Sequence, residues 1–318
     1  MAHLLDFSND RANMAYVGDK PWHGLGTALP LDQPLETWRI AAGLDFEYRL
    51  ASVNYLEPAL PFPNRFVVYR SDTLEPLSVV SNNYHTVQPS QILEFFRDLT
   101  EEYGFTLETA GSLKGGTVIW ALAKTGRTFD LGHDEVKQYT LLMTSCDTTL
   151  ATRATLTSIR VVCNNTLTAA LHQEAANLIV TSHASQFDAD AVKANLGLVE
   201  NTWDEFSTMA ERFSLTPLKD VDVKEAILAI FGDSDKPVLE QPNQRAMAQV
   251  LELYQGGGQG AYLPSSRNTV WGLLNAVTEY QDHHAIERKS GARLASAWMG
   301  AGAVIKRKAF DRCLKLAA

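Results

Sequence analysis

Three side chains that can bind a metal ion or transfer a proton lie close together near residue 280. Glu279, Asp282 and His283 fall at the end of a predicted helix, and Glu279 and His283 are four residues apart, which puts two ligands on one helix face. A metal-dependent nuclease is therefore one hypothesis. The alternative is structural, because the helix dipole favours histidine at a C-terminus and Glu279 can face solvent. The sequence offers no second carboxylate-bearing segment at a recognisable spacing, so we expect no cofactor or metal.

A second group of side chains is suited to contacts with phosphate. Residues 148–173 include Arg153 and Arg160 but no acidic residue, and they are rich in threonine, serine and asparagine. Such side chains hold phosphate and sugar oxygens in nucleic-acid complexes. Side chains at odd and even positions of a strand point to opposite faces, so Arg153 and Arg160 on one strand would face opposite ways unless a bulge intervenes. Threonine-rich strands are also common without a ligand, which leaves a structural alternative open.

Neighbouring predicted strands and turns supply further candidates for nucleic-acid binding. Lys124, Arg127 and Lys137 add positive charge, and Trp120 or Tyr139 offers an aromatic ring on which a base can stack. With Arg153 and Arg160, these residues predict an interface for the backbone of single-stranded DNA.

Positive charge is also concentrated at the C-terminus. Residues 284–318 carry eight basic and two acidic residues, which is a net charge of +6. Because the whole chain has a net charge of −9, residues 1–283 have a net charge of −15. Lys308 and Arg312 share one face of a predicted helix and can contact phosphate. Alternatively, the helix is solvated or neutralises a neighbouring subunit, with Ile305, Phe310 and Leu314 buried in a head-to-tail ring. We therefore expect a homo-oligomer.

Composition excludes several classes of protein. A net charge of −9 rules out a histone-like or polybasic protein, and the Gly-x-x-x-x-Gly-Lys-Ser/Thr motif of nucleotide hydrolases is missing. Cys146, Cys163 and Cys313 are too few and too scattered for a disulfide framework. No apolar run approaches the ~18 residues that a membrane span needs. The sequence therefore predicts a cytoplasmic protein with no membrane partner.

The elements that must position these residues follow from the apolar pattern. Alternation predicts strands over residues 46–55, 65–70, 77–81, 105–109, 117–124, 138–145, 154–162 and 178–182. Helical spacing predicts a helix after Pro89, one unbroken helix from Val192 to Phe213, and others over 223–231, 243–254, 269–283 and between 291 and 316. Residues 255–260 are glycine-rich and predict a flexible loop.

These elements predict an α+β fold. A mostly antiparallel sheet with one crossing helix occupies the N-terminal half, and a helical bundle occupies the C-terminal half. We expect a sheet-rich domain over residues 1–186 and a helical domain over 187–318 that packs on it and ends in the basic helix.

Four strings resemble the phage/plasmid-like family of uncharacterised proteins. They are residues 21–27 (PWHGLGT), 109–116 (TAGSLKGG), 159–167 (IRVVCNNTL) and the pair 268–271 (NTVW) and 275–280 (NAVTEY). The resemblance implies a gene carried by phages, prophages or plasmids, and it brings no catalytic residues with it. At the level of fold, the chain is loosely similar to phage single-strand annealing proteins, which form rings or filaments.

The leading hypothesis is accordingly a non-enzymatic protein that binds and anneals single-stranded DNA in phage or plasmid recombination or replication, in a bacterial cytoplasm. The first alternative is a protein-binding inhibitor of a host defence system, whose acidic body imitates nucleic acid. The second alternative is the metal-dependent nuclease.

Overall fold

The structure is a computed structural model. It describes residues 7–8, 11–18, 25–57, 59–160, 165–167, 178–197, 200–233, 236, 240–286, 296–298 and 300–318. The strands are β1 (Phe7–Ser8), β2 (Arg11–Ala12), β3 (Met14–Val17), β4 (Thr27–Leu29), β5 (Tyr48–Tyr55), β6 (Leu60–Arg70), β7 (Pro76–Ser81), β8 (Thr106–Leu113), β9 (Val118–Asp130), β10 (Glu135–Ser145), β11 (Thr152–Arg160), β12 (Asn165–Leu167) and β13 (Leu178–Thr181).

The helices are α1 (Leu35–Ala41), α2 (Pro89–Tyr103), α3 (Ala189–Gly197), α4 (Glu200–Leu215), α5 (Asp220–Phe231), α6 (Gln244–Glu252), α7 (Val270–Glu279) and α8 (Ala301–Leu316). This arrangement confirms the predicted α+β fold, with a mostly antiparallel sheet in the N-terminal half and helices in the C-terminal half.

The larger sheet has eight strands in the order β12-β11-β10-β9-β8-β3-β4, and β13 also pairs with β11. The pair β3 and β4 is parallel, whereas the other pairs are antiparallel. Side chains alternate between two faces of this sheet. We call the face that carries Ile119, Ala121 and Ala123 the helix face, because these side chains belong to the core cluster shared with α2 and α4. The opposite face carries Trp120, Leu122 and Lys124.

A separate three-stranded sheet has the order β5-β6-β7. Its two long strands, β5 and β6, form a hairpin. Tyr48 and Val68 at the base of the hairpin are buried in the main core, whereas most of the outer half is exposed. The hairpin therefore projects from the body of the protein.

Two predictions about the helical half can be compared with the structure. Helices α3 and α4 cover the predicted helix from Val192 to Phe213 on either side of residues 198–199, which lie outside the described residues, so its continuity remains a prediction. In the glycine-rich stretch predicted as a flexible loop, the chain leaves the helical conformation at Gly256 (φ 127°), and Gln259 N–H donates to Glu279.

One cluster of buried apolar side chains runs through both halves of the chain. It includes Ala121 and Leu142 of the sheet, Phe96 of α2, Phe206 of α4 and Trp271 of α7. The amphipathic stripe of α2 packs on the helix face, as predicted from its spacing. The domain boundary at residue 187 remains a prediction.

Candidate nucleic-acid interface

The strand register brings three of the predicted cations to the same face of the large sheet. Arg153 on β11 pairs with Met143, and Met143 pairs with Trp120. Lys124 on β9 pairs with Tyr139, which belongs to the same buried cluster as Trp120. The remaining cation, Lys137, pairs with Ile159, which packs against that cluster. We call Lys124, Lys137 and Arg153 the cationic row of the opposite face.

Two members of the cationic row form ion pairs at the rim of this face. Lys124 Nζ contacts Glu108 Oε2, and the Tyr139 hydroxyl donates to the two oxygens of the same carboxylate at 3.1 and 3.2 Å. Lys137 Nζ lies 3.5 Å from Glu135 Oε2. Both lysine side chains are about a third exposed, so solvent reaches the two ion pairs.

Arg153 lies deeper on this face. Its side chain is partly buried, and its Nε atom has no hydrogen-bond partner among the described residues. The Nε1 atom of Trp120, two strands away on the same face, is also buried and has no partner in the described part of the chain. An unpaired buried N–H costs about 1–3 kcal/mol, so a polar group that accepted from either atom would be stabilised there.

Of the other two cations of the predicted strand group, Arg127 does not join the cationic row, and Arg160 is described only through its backbone. Arg127 contacts Asp204 of α4 at 2.7 Å and so lies on the helix face. Arg160 pairs with Val136 through its backbone, and its side chain lies outside the described residues. Because β11 keeps its register between Arg153 and Arg160, the expectation that their parities differ is confirmed by the pairing with β10.

The two aromatic rings proposed for base stacking are buried. Trp120 is 1% exposed and packs edge-on against Trp298 at 5.2 Å, and Tyr139 is 3% exposed. Neither ring presents an open face to a base in this structure. The prediction failed because alternation places an aromatic residue on a face but does not reveal what covers that face.

Exposed aromatic side chains instead lie at the projecting hairpin, which the sequence reasoning missed. Tyr55 on β5 and Phe62 on β6 are each about half exposed, and their rings meet edge-on at 6.3 Å. The sequence feature that could have indicated this hairpin is the run of mostly apolar residues, with little charge, between Arg49 and Arg65. Its prolines resemble a loop more than a strand, which hid the hairpin.

The C-terminal helix α8 packs against α5 and α7 of the same chain. Phe310 is buried against Phe213 of α4, with ring centroids 5.9 Å apart, so it is not available to a ring contact. Lys308 is exposed, and Arg312 is partly exposed with a buried Nε atom that has no partner among the residues the structure describes. Lys306 is one of the eight basic residues counted in residues 284–318, but it is fully buried and contacts Asp282 Oδ1. Burial lowers the pKa of Lys306, and the Asp282 carboxylate opposes this effect.

The cluster proposed for a metal ion is arranged differently from the sequence expectation. Residues Tyr280–His284 form a π-helix, in which residue i+5 rather than i+4 lies over residue i. His284 Nε2, not His283, therefore approaches Glu279 Oε1, at 3.6 Å. Glu279 and Asp282 are buried and already bound by Gln259 N–H and Lys306, respectively. Among the described residues, no three His, Cys, Asp or Glu side chains converge as a metal site requires.

The fold and these sites define an α+β protein whose large sheet carries three cations on one face. The chain matches the family model described as "Domain of unknown function (DUF932)" over residues 76–298, more than two thirds of its length, and it belongs to that family. No curated protein and no solved structure matches the chain. None of the described helices is long and apolar enough to cross a membrane.

Proposed function

We propose that this protein binds single-stranded DNA and promotes annealing in a phage or plasmid. The observation that supports the proposal is the cationic row, because residues from three adjacent strands contribute Lys124, Lys137 and Arg153 to one face. A single strand of nucleic acid is bound mainly by cations that follow its backbone.

In the cationic row, Lys124 and Lys137 can leave their glutamate partners and contact phosphate at little cost. A solvent-exposed ion pair contributes about 0–1 kcal/mol, so the loss of Glu108 or Glu135 as a partner costs little. A hydrogen bond to a charged phosphate contributes about 1.5–3 kcal/mol. Tyr139 continues to donate to Glu108 when Lys124 turns towards the ligand, which keeps that carboxylate satisfied.

A salt series of binding tests the proposal. Fluorescence anisotropy of a labelled, mixed-sequence single strand is measured between ~50 and ~200 mM salt, and the logarithm of the binding constant should fall linearly with the logarithm of salt. Lys124→Ala and Lys137→Ala should each weaken binding and reduce the slope by about 0.7, the value for one lost phosphate contact. Lys224→Ala, at an exposed position of α5, is the matched control and should leave both quantities unchanged.

Two outcomes would contradict the proposal. One is the absence of binding at ~50 mM salt, and the other is a slope that Lys124→Ala, Lys137→Ala and Lys224→Ala all leave unchanged. Either result would favour a protein partner, such as a host defence factor, over DNA. Annealing is tested separately with complementary strands, one carrying a fluorophore and the other a quencher, and Arg153→Ala should slow it if Arg153 contacts the backbone.

A further inference from the structure

A β-bulge in β8 directs a glutamate towards the cationic row. The partners of Leu107 and Thr109 are consecutive residues of β9, so Glu108 is an extra residue in the pairing of β8 with β9. A bulge re-aims side chains, and bulges are frequent next to functional sites. The Glu108 carboxylate reaches Lys124 and Tyr139 on the opposite face of the sheet.

The Glu108 carboxylate is held by two different donors. Lys124 Nζ contacts its Oε2 atom, and the Tyr139 hydroxyl bonds to its two oxygens at 3.1 and 3.2 Å. Tyr139 is 3% exposed and the Glu108 side chain is 20% exposed, whereas the Lys124 side chain is 37% exposed. The carboxylate and the hydroxyl are therefore the fixed parts of this group, and the lysine is the part that a ligand reaches first.

The second ion pair of the cationic row has no such fixed acid. The Glu135 side chain is 42% exposed, and within the described part of the chain its carboxylate contacts only Lys137, at 3.5 Å. An exposed contact of this kind restrains neither side chain strongly. Of the two lysines, Lys124 is therefore the one whose freedom to move depends on its acid.

We infer that Glu108 regulates this site: its carboxylate competes with phosphate for Lys124, and Tyr139 positions that carboxylate. This role rests on the proposed function, in which phosphate is the competing anion. Carboxylate and phosphate oxygens both accept charge-assisted hydrogen bonds from an ammonium group, so Lys124 exchanges one for the other. A row that keeps one cation engaged with an acid binds a strand less tightly and releases it faster, as the exchange of strands during annealing requires.

Two substitutions in this group should change DNA binding in opposite directions. Glu108→Gln removes the competing charge and should tighten binding of a single strand by about five-fold, the upper limit for one exposed ion pair. Tyr139→Phe changes no charge, but it leaves Glu108 more dependent on Lys124, so it should weaken binding by about three-fold, the lower end of what one hydrogen bond contributes. An effect of net charge alone does not predict the response to Tyr139→Phe.

A measurement without DNA tests the hold of Glu108 on Lys124. Each protein is treated briefly with an acetylating succinimidyl ester, and the rate of acetylation at each lysine is followed by peptide mass spectrometry. A lysine nitrogen that is engaged with a carboxylate reacts more slowly than a free one. Glu108→Gln should therefore speed acetylation of Lys124 but not of Lys137, and Tyr139→Phe should slow acetylation of Lys124.

Glu135→Gln is the matched control, because it removes the same charge from the partner of the neighbouring lysine. It should speed acetylation of Lys137 and leave that of Lys124 unchanged. Thermal unfolding of each variant establishes that it is folded before the rates are compared.

The outcomes separate this inference from the proposed function. Acetylation of Lys124 that Glu108→Gln leaves unchanged, or that Tyr139→Phe speeds, would overturn the inference whatever the DNA result. DNA binding by the wild-type protein that Glu108→Gln fails to tighten would also overturn it, although the proposed function would then stand. If acetylation behaves as expected and no variant binds DNA, the proposed function is wrong, and the role of Glu108 as a competitor of phosphate is wrong with it.

Discussion

The carboxylate of Asp134 accepts a hydrogen bond from the indole of Trp271, with 3.0 Å between Asp134 Oδ2 and Trp271 Nε1. The same oxygen accepts from Ser265 Oγ at 2.7 Å. Asp134 lies in the turn between β9 and β10 and is completely buried, whereas Trp271 belongs to the first turn of α7. One side chain therefore joins the sheet to the helical half of the chain.

Asp134→Ala should lower the free energy of unfolding by about 3 kcal/mol, because it leaves two buried donors without their acceptor. Glu225→Ala, at an exposed position of α5, should change it by less than about 0.5 kcal/mol. Urea denaturation of both variants measures the difference. Equal stability of the two would show that water or another group replaces the carboxylate.

The buried pair of Lys306 and Asp282 allows a second prediction. Lys306→Met removes the cation and should cost about 3–5 kcal/mol, because a buried charge loses its partner. The double change to Lys306→Met and Asp282→Leu should cost less than Lys306→Met alone, since no charge then remains buried. A double-mutant cycle by denaturation checks this order, and an additive result would contradict it.

Gly272 in α7 is packed so closely that a side chain cannot be added. A Cβ atom at this position would lie 1.9 Å from the carbonyl oxygen of Ser266. Helix propensity alone predicts that Gly272→Ala stabilises the protein by about 1 kcal/mol. The close approach to Ser266 predicts the opposite: Gly272→Ala should lower the free energy of unfolding by about 3 kcal/mol, because the added methyl group pushes α7 away from Ser266. The midpoint of urea denaturation decides between them.

The reactivity of Cys146 should depend on folding and on pH. Burial raises the pKa of this thiol to about 12, with a smaller contribution from Asp147. At pH 8 the thiolate, which is the reactive form, is then on the order of 1 in 10,000 molecules. We expect iodoacetamide to leave Cys146 unmodified in the native protein at pH 8 and to modify it in denaturant, as measured by peptide mass mapping. Rapid modification of the native protein would show that the site opens.

Much of the fold was predictable because alternation and helical spacing are strong local signals. Each of the eight predicted strands overlaps an observed one. The strand Met14–Val17 was missed because all four of its residues are buried, so it shows no alternation. The hairpin extension of β6 was missed because its prolines suggested a loop.

The candidate site was less predictable, since it depends on contacts between distant segments. The shared face of Lys124, Lys137 and Arg153 required the register between β9, β10 and β11, which no local pattern encodes. The burial of Lys306 did leave a signal: it lies with Gly302, Ala309 and Cys313 at helical spacing, on the stripe that α8 buries. The π-helix at Tyr280–His284 changes the spacing of residues on the helix by one, and no pattern of apolar residues in the sequence indicates it.

The family segment, residues 76–298, does not contain every element that packs against it. A fragment cut at residues 76 and 298 would lose β3, which pairs with β8, and α8, which carries Lys306 to the buried Asp282. The fragment would expose the edge of β8, and an exposed strand edge promotes aggregation. It would also leave the buried Asp282 carboxylate without its cation, which destabilises the fold. Relatives that share only this segment must therefore protect that edge and neutralise that carboxylate by other means, and their flanking sequences are where those replacements should be sought.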